Sequence, residues 1–134
     1  MAYQSFEELE VWQRGCRLAV EIFRLFGDCK NFAMRDQIQR AALSIPSNIA
    51  EGHERDARKE FIRFLNIAQG SCGELRTQLY IARKLNLIKP ESFEHLKTES
   101  KEISAMLRGL TRAIARQIPQ PIKRATPADS DPEN

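Results

Sequence analysis

The stretch SIPSNIAEG, residues 44–52, lies in a segment whose apolar residues recur at helical spacing although it contains Pro46. On a helical wheel the segment carries two adjacent apolar lines, which are Ile38, Ala42, Ile45 and Ile49 in the first and Leu43, Pro46 and Ala50 in the second. The two lines cover about 160° of the helix surface, whereas an arc of about 100° suffices for packing against one core. We therefore predict a second helix over residues 33–55 that packs on two sides.

Pro46 in the interior of this helix predicts a bend rather than an end. Proline has no N–H to donate to the carbonyl of Ala42, and its ring crowds that carbonyl. The neighbouring side chains are small, so we interpret the stretch as a packing surface of an assembling bundle rather than a catalytic loop. Two roles remain open for Asn48 and Glu51, since they either satisfy buried hydrogen bonds or face a ligand.

The first helix is predicted to begin at a capping box formed by Ser5 and Glu8. Its apolar residues recur at three- and four-residue steps, and they are Leu9, Trp12, Cys16, Ala19, Val20, Phe23 and Phe26. We expect this stripe to face the core, and we expect Gly27 to end the helix.

Two longer helices are predicted after residue 55. The third begins at Asp56, a good N-cap residue, and continues to about Leu87. Its core stripe is Phe61, Phe64, Leu65, Ala68, Cys72, Leu75, Leu79 and Ala82. The fourth has Pro90 in its first turn, where the missing N–H is no loss. Its stripe is Phe93, Leu96, Ile103, Met106, Leu107, Leu110, Ile114 and Ile118.

A line of small residues follows a different face of the third helix. Its members are Asn66, Gly70, Gly73 and Thr77. Each helical glycine costs about 0.8–1 kcal/mol relative to alanine, so an aligned pair suggests that another backbone approaches closely. The alternative is that both glycines are tolerated on a solvated face.

Four amphipathic helices with short connections and no strand-like alternation predict an all-α fold. We expect an antiparallel up-and-down four-helix bundle over residues 1–118, with a kinked second helix. From Pro119 onward the sequence holds four prolines among mostly polar residues. We therefore predict a disordered, Pro-rich tail over residues 119–134.

Composition narrows the class of protein. A chain of 134 residues fits one domain with a single core, and it needs no metal or disulfide to fold. Its three cysteines are odd in number and lack zinc-ligand spacing, which indicates a reducing compartment. The acidic N-terminus resembles no secretory signal, and no segment is apolar enough to span a bilayer. We expect a cytoplasmic protein without a membrane partner.

Catalytic motifs are scarce in this sequence. Its two histidines, His53 and His95, have no partner at metal-binding spacing, and we expect both to face solvent. Glu51 and Glu74 could form a carboxylate pair inside the bundle, although a buried bond to Arg40 or Arg76 is the simpler use of either. We therefore predict no catalytic residues, metal or cofactor, and an enzyme using Glu51, Glu74 or His53 is kept as an alternative.

The net positive charge is small, but the basic residues are clustered. The net charge is +3, and residues 56–89 hold seven Lys and Arg against three Asp and Glu. One cluster opens the third helix and another stripe follows the fourth. The candidate nucleic-acid contacts are Arg58, Lys59, Arg63, Lys101, Arg108, Arg112 and Arg116. Such residues can neutralise phosphates without reading sequence, or they can form a solvated face.

The sequence resembles the bacterial four-helix-bundle family encoded in intervening sequences of 23S ribosomal RNA genes. The resemblance lies in FEELEVWQRG at residues 6–15, RDQIQRAALSIPSNIAEGHER at 35–55 and FIRFLNIAQGSCGELRTQL at 61–79. It implies an up-and-down bundle that assembles into a homopentameric ring. The accessory proteins of diversity-generating retroelements are similar to this family, and they are basic rings that associate with a reverse transcriptase and nucleic acid.

The residues and the resemblance together predict a non-enzymatic, homo-oligomeric scaffold, with a pentamer as the expected assembly. Its expected partners are RNA or a nucleic-acid enzyme, bound through basic helical faces. The alternative is a protein-interaction adaptor without nucleic-acid contact. The candidate residues for the oligomer interface are Leu43, Pro46, Ala50, Asn66, Gly70, Gly73 and Thr77.

Overall fold

The computed structural model describes residues 5–119, and the predicted tail beyond Pro119 lies outside this range. A 3₁₀ turn, Phe6–Glu8, precedes four α-helices, and no strand occurs between residues 5 and 119. The helices are α1 (Glu10–Phe26), α2 (Phe32–Glu54), α3 (Arg58–Lys84) and α4 (Pro90–Gln117).

The four helices pack as an up-and-down bundle. The backbones of α1 and α2, α2 and α3, α3 and α4, and α4 and α1 lie side by side, and within the described range the diagonal pairs are further apart. Connections of three to five residues between consecutive helices force each to run back along its predecessor. The predicted all-α four-helix bundle is confirmed.

The predicted capping box at the N-terminus is wrong. The hydroxyl of Ser5 accepts a hydrogen bond from the backbone N–H of Glu7 at 3.2 Å, rather than from Glu8. Leu9 follows the 3₁₀ turn in an extended conformation, with φ −74° and ψ 123°, and only then does α1 begin. The turn therefore delays the helix by several residues and changes its direction.

The predicted core stripe of α1 is wrong at two positions. Val20 and Phe23 are 47% and 41% exposed. Val11, Leu18 and Ile22 are buried in their place, whereas Ala19 and Phe26 are buried as predicted. In this rotation of α1, Arg14 and Glu21 both reach partners on α4.

Helix α2 continues through Pro46 without a break. Its first apolar line is buried as predicted, since Ile38, Ala42, Ile45 and Ile49 are fully enclosed. Pro46 is buried against α1, where a Cβ atom on Gly15 would lie 3.5 Å from the Pro46 Cβ atom. Helices α1 and α3 flank α2 and cover most of its wide apolar arc, except for Leu43, which is exposed.

The turn between α2 and α3 differs from the sequence expectation. Asp56 has a φ of 54°, in the left-handed region, and Ala57 is the N-cap residue without a side-chain hydrogen bond. The predicted N-cap is therefore wrong. At the other end α3 ends at Lys84 rather than at Leu87. Two residues beyond this end, Asn86 adopts a φ of 57°.

The core stripes of α3 and α4 are largely as predicted. All eight residues of the α3 stripe are buried. Pro90 occupies the first turn of α4, as expected from its missing N–H. The α4 residues in the core are Phe93, Leu96, Ile103, Leu107 and Ile114. Met106 and Leu110 pack against this core while remaining partly exposed.

Gly52 is a point of close approach between α2 and α3. A Cβ atom there would lie 2.6 Å from the Phe64 Cβ atom and 3.2 Å from Phe61 Cδ1. We predict that Gly52→Ala lowers the free energy of unfolding by about 1–3 kcal/mol, because overpacking forces the two helices apart. Urea unfolding followed by circular dichroism measures this.

The matched control is Gly109→Ala on α4, where an added Cβ atom meets no atom within 4 Å. That change should stabilise by about 0.5–1 kcal/mol, since alanine is the better helix former. Equal stabilisation by both substitutions would contradict the close contact at Gly52.

Candidate interaction surfaces

The two predicted basic clusters lie at the same end of the bundle. Helices α3 and α4 are antiparallel, because Arg76 contacts Ser104 while the later Tyr80 packs on the earlier Phe93 at 5.0 Å. The first turns of α3 therefore lie beside the last turns of α4. This places Arg58, Lys59 and Arg63 at the same end of the bundle as Arg112 and Arg116, with Lys101 and Arg108 further along the bundle.

All seven predicted nucleic-acid contacts are exposed. Arg63 is already engaged, because its Nε and Nη2 atoms donate to the Glu60 carboxylate at 2.9 and 3.2 Å. Its guanidinium also lies 4.5 Å above the ring of Phe64. The hydrogen bonds raise the pKa of Arg63 and lower the pKa of Glu60. The other six cations have no acidic partner among residues 5–119.

Two of the four carboxylates of α4 contact α1. Arg14 donates to Glu99 at 2.7 Å and to Glu102 at 2.6 Å, and its side chain is only 17% exposed. One turn earlier, His95 lies 2.8 Å from the Glu21 carboxylate of α1. These contacts concentrate negative charge on the flank of α4 that faces α1.

The opposite flank of α4 is basic. Successive helical residues are rotated by about 100°, so Lys101, Arg108 and Arg112 fall within about 40° of one another, toward α3. No Asp or Glu follows Glu102 in α4. The fold therefore places Glu99 and Glu102 on one flank and these three cations on the other, although Glu94, near the start of α4, pairs with Lys97.

Arg76 is a functional candidate that sequence reasoning missed. Its Nη1 atom donates to the hydroxyls of Ser100 and Ser104 at 3.2 Å each and approaches the Ser100 carbonyl oxygen at 3.4 Å. The expectation that Arg76 pairs with a buried carboxylate is wrong. The signal in the sequence was the pair of serines four residues apart, which share one face of α4.

The predicted interface residues do not form one continuous buried surface within the chain. Asn66, Gly70 and Thr77 are exposed, and a Cβ atom on Gly70 or Gly73 would meet no atom within 4 Å. No helix of the described chain approaches these glycines. Leu43 is 52% exposed and Ala50 is partly buried, whereas Pro46 is enclosed against α1. Pro46 therefore presents little surface to another chain.

An exposed apolar surface spans α1 and α2. Val20, Phe23 and Leu43 line a shallow groove with Ala19 and Arg24. The helical spacing of Val20 and Phe23 predicts core positions, but both side chains lie in this groove instead. In this rotation of α1 a neighbouring apolar line faces the core, which leaves Val20 and Phe23 exposed.

The polar residues of SIPSNIAEG join α2 to α3. The hydroxyls of Ser44 and Ser71 lie 2.8 Å apart across the two helices. The Asn48 side-chain amide donates to both the hydroxyl and the backbone oxygen of Ser44, each at 2.8 Å. Asn48 therefore satisfies a hydrogen bond at the α2–α3 contact. Glu51 instead is exposed and pairs with Arg55 at 3.1 Å.

The groups considered for catalysis do not converge. His53 is 8% exposed, so the expectation that it faces solvent is wrong. It packs edge-on against Phe61 at 5.6 Å, and Glu54 lies 3.8 Å from its Nδ1 atom. Glu74 is exposed on α3. Residues 5–119 contain no cluster of three metal-ligating side chains and no helix that could cross a membrane.

Comparison with known proteins gives a family and a structural relative. The family model described as 23S rRNA-intervening sequence protein matches residues 7–109. A crystal structure of a protein of unknown function, from the S23 ribosomal protein family of Bacteroides thetaiotaomicron, is similar with a TM-score of 0.72 and 30% sequence identity. The alignment covers 76% of this chain and 98% of that chain.

No curated protein matches the sequence. The family match extends from the 3₁₀ turn through all of α1, α2 and α3 and into the C-terminal half of α4. It includes the contact at Gly52 and the serines that bind Arg76. The chain therefore belongs to the family of 23S rRNA-intervening sequence proteins.

Proposed function

We propose that this protein is a non-enzymatic, homo-oligomeric scaffold that binds RNA, or a protein associated with nucleic acid, through the basic faces of α3 and α4. The observation that carries the proposal is the separation of charge on α4. Glu99 and Glu102 contact α1, whereas Lys101, Arg108 and Arg112 remain exposed and without acidic partners within residues 5–119.

Cations without acidic partners along one flank of a helix can bind a polyanion such as RNA. Each phosphate they neutralise releases bound counterions, which supplies affinity without sequence readout. In an oligomer, several copies of this face would bind one RNA molecule at once, so a weak affinity at each site gives a higher overall affinity. A pentamer in the cytoplasm is the expected form, and it is part of the proposal.

We predict that the protein binds single-stranded RNA at about 50 mM salt and loses most of this affinity at about 200 mM. The double substitution Arg108→Glu/Arg112→Glu should weaken binding and reduce the salt slope by about 0.7 for each phosphate that is no longer neutralised. Fluorescence anisotropy with labelled RNA measures both quantities on protein freed of nucleic acid.

The matched control is Arg17→Glu/Arg24→Glu, which makes the same charge change on α1. Both control residues are exposed, and α1 lies diagonally across the bundle from α3. Equal weakening by the two double variants would mean that only the total charge matters. That result, or no RNA binding at low salt, would contradict the proposal.

Assembly through the small-residue line of α3 is a separate prediction. Because nothing in the described chain lies near Gly70, Gly70→Leu should leave the fold of each protomer intact and improve its helix propensity. At a closely packed interface the same side chain should dissociate the oligomer. Light scattering on a sizing column measures the mass.

A wild-type protein of monomer mass at micromolar concentration would refute the oligomer. A stable oligomer whose mass is unchanged by Gly70→Leu would exclude this face as the interface. Gly109→Leu is the matched control, since Gly109 is also open but lies on α4, outside the predicted interface.

A protein-interaction adaptor is the second candidate, and the exposed apolar groove of Val20, Phe23 and Leu43 favours it. Apolar grooves of this kind commonly bind protein rather than RNA. The adaptor would be supported over the RNA scaffold by partners that still bind after nuclease treatment. These partners should no longer bind the Phe23→Ser variant but should still bind the Arg108→Glu/Arg112→Glu variant.

A further inference from the structure

Arg76 stands out among the cations of α3 because protein hydroxyls, rather than a carboxylate, hold it in place. Its Nη1 atom donates to Ser100 and Ser104, which are 0% and 2% exposed. The Ser100 hydroxyl in turn donates to the Cys72 carbonyl oxygen at 3.3 Å. One edge of the guanidinium is therefore anchored to buried groups on both helices.

The rest of the guanidinium is left for another acceptor. Within residues 5–119 neither Nε nor Nη2 of Arg76 has a hydrogen-bond partner, and no carboxylate pairs with the side chain. An arginine fork presents two parallel N–H donors, a geometry that matches the oxygens of a phosphate. Neutral anchors preserve the full positive charge, so this arginine is preorganised for an anion.

The surroundings of Arg76 admit a large ligand. The residue one turn earlier is Gly73, where even a Cβ atom would meet nothing within 4 Å. Across the groove Lys101 and Arg108 lie on the flank of α4 that faces α3, and both are exposed. At 1.5 Å rise per residue, about 10 Å of helix separates these two cations. The spacing is long enough for more than one phosphate of an extended strand.

We propose that Arg76 binds a backbone phosphate of single-stranded RNA in the groove between α3 and α4, with Lys101 and Arg108 contacting neighbouring phosphates. This site rests on the RNA binding proposed above and names where the strand lies. Arg76 positions the strand in the groove, and the more exposed cations add electrostatic affinity. The contacts are to phosphate, so the site accepts any base sequence.

The test is fluorescence anisotropy with fluorescein-labelled oligouridylate on the full chain, across a range of salt concentrations. Arg76→Gln should raise the Kd about five- to tenfold at low salt and reduce the salt slope by about 0.7, the value for a single phosphate that is no longer neutralised. Arg76→Lys should keep the salt slope but still weaken binding, because a lysine offers no planar fork.

The matched control is Arg17→Gln on α1, which removes the same charge from an exposed position away from the groove. Circular dichroism and light scattering establish that each variant keeps its fold and mass. If Arg76→Gln does not fold, Lys101→Gln replaces it, because Lys101 is exposed and has no partner among the described residues.

The outcomes separate this site from the broader proposal. Wild-type binding that weakens with Arg76→Gln but not with Arg17→Gln supports the site. If the wild-type protein binds RNA and the two variants have the same Kd and salt slope, the Arg76 site is overturned, whereas RNA binding at another surface is not. Absence of wild-type binding at low salt overturns both.

Discussion

The rotation of α4 about its own axis depends on two opposed sets of polar contacts. On one flank Arg14 holds Glu99 and Glu102 against α1. On the other flank Arg76 of α3 donates to Ser100 and Ser104. Apolar packing alone tolerates some rotation of a helix, because neighbouring core residues can replace one another. Directional hydrogen bonds on both sides favour a single rotation, in which the basic flank of α4 is at the surface.

The surface charge of the bundle follows from this arrangement. Glu99 and Glu102 pair with α1, and the three cations of the basic flank lie beside α3, so a chain of modest net charge acquires one basic flank. In α1 a neighbouring apolar line is buried, which leaves Val20 and Phe23 at the surface. The basic flank of α4 and the apolar groove between α1 and α2 therefore follow from how these helices are rotated in the bundle.

The bundle and its core were largely predictable from the sequence. The stripe of α3 repeats over many turns, and each of its residues is buried. The errors fall where local signals compete with tertiary contacts. Ser5 has the sequence of a capping box but forms a 3₁₀ turn. The predicted stripe of α1 is apolar, yet Val20 and Phe23 are exposed and residues of a neighbouring apolar line are buried in their place. The functional surfaces were only partly predictable, for the same reason. The cations could be located by counting, whereas their pairing depends on which helix each neighbouring carboxylate faces. Arg76 was not recognisable as a site because its serine anchors lie on a different helix, at least 24 residues away.

The most direct test of the central claim is to map photocrosslinks between the protein and RNA that contains 4-thiouridine. At low salt the account predicts crosslinked peptides from α3 and α4 around Arg76, Lys101 and Arg108, and few from α1 or α2. Crosslinks concentrated on α1 and α2 would contradict the assignment of the basic flank as the RNA-binding surface.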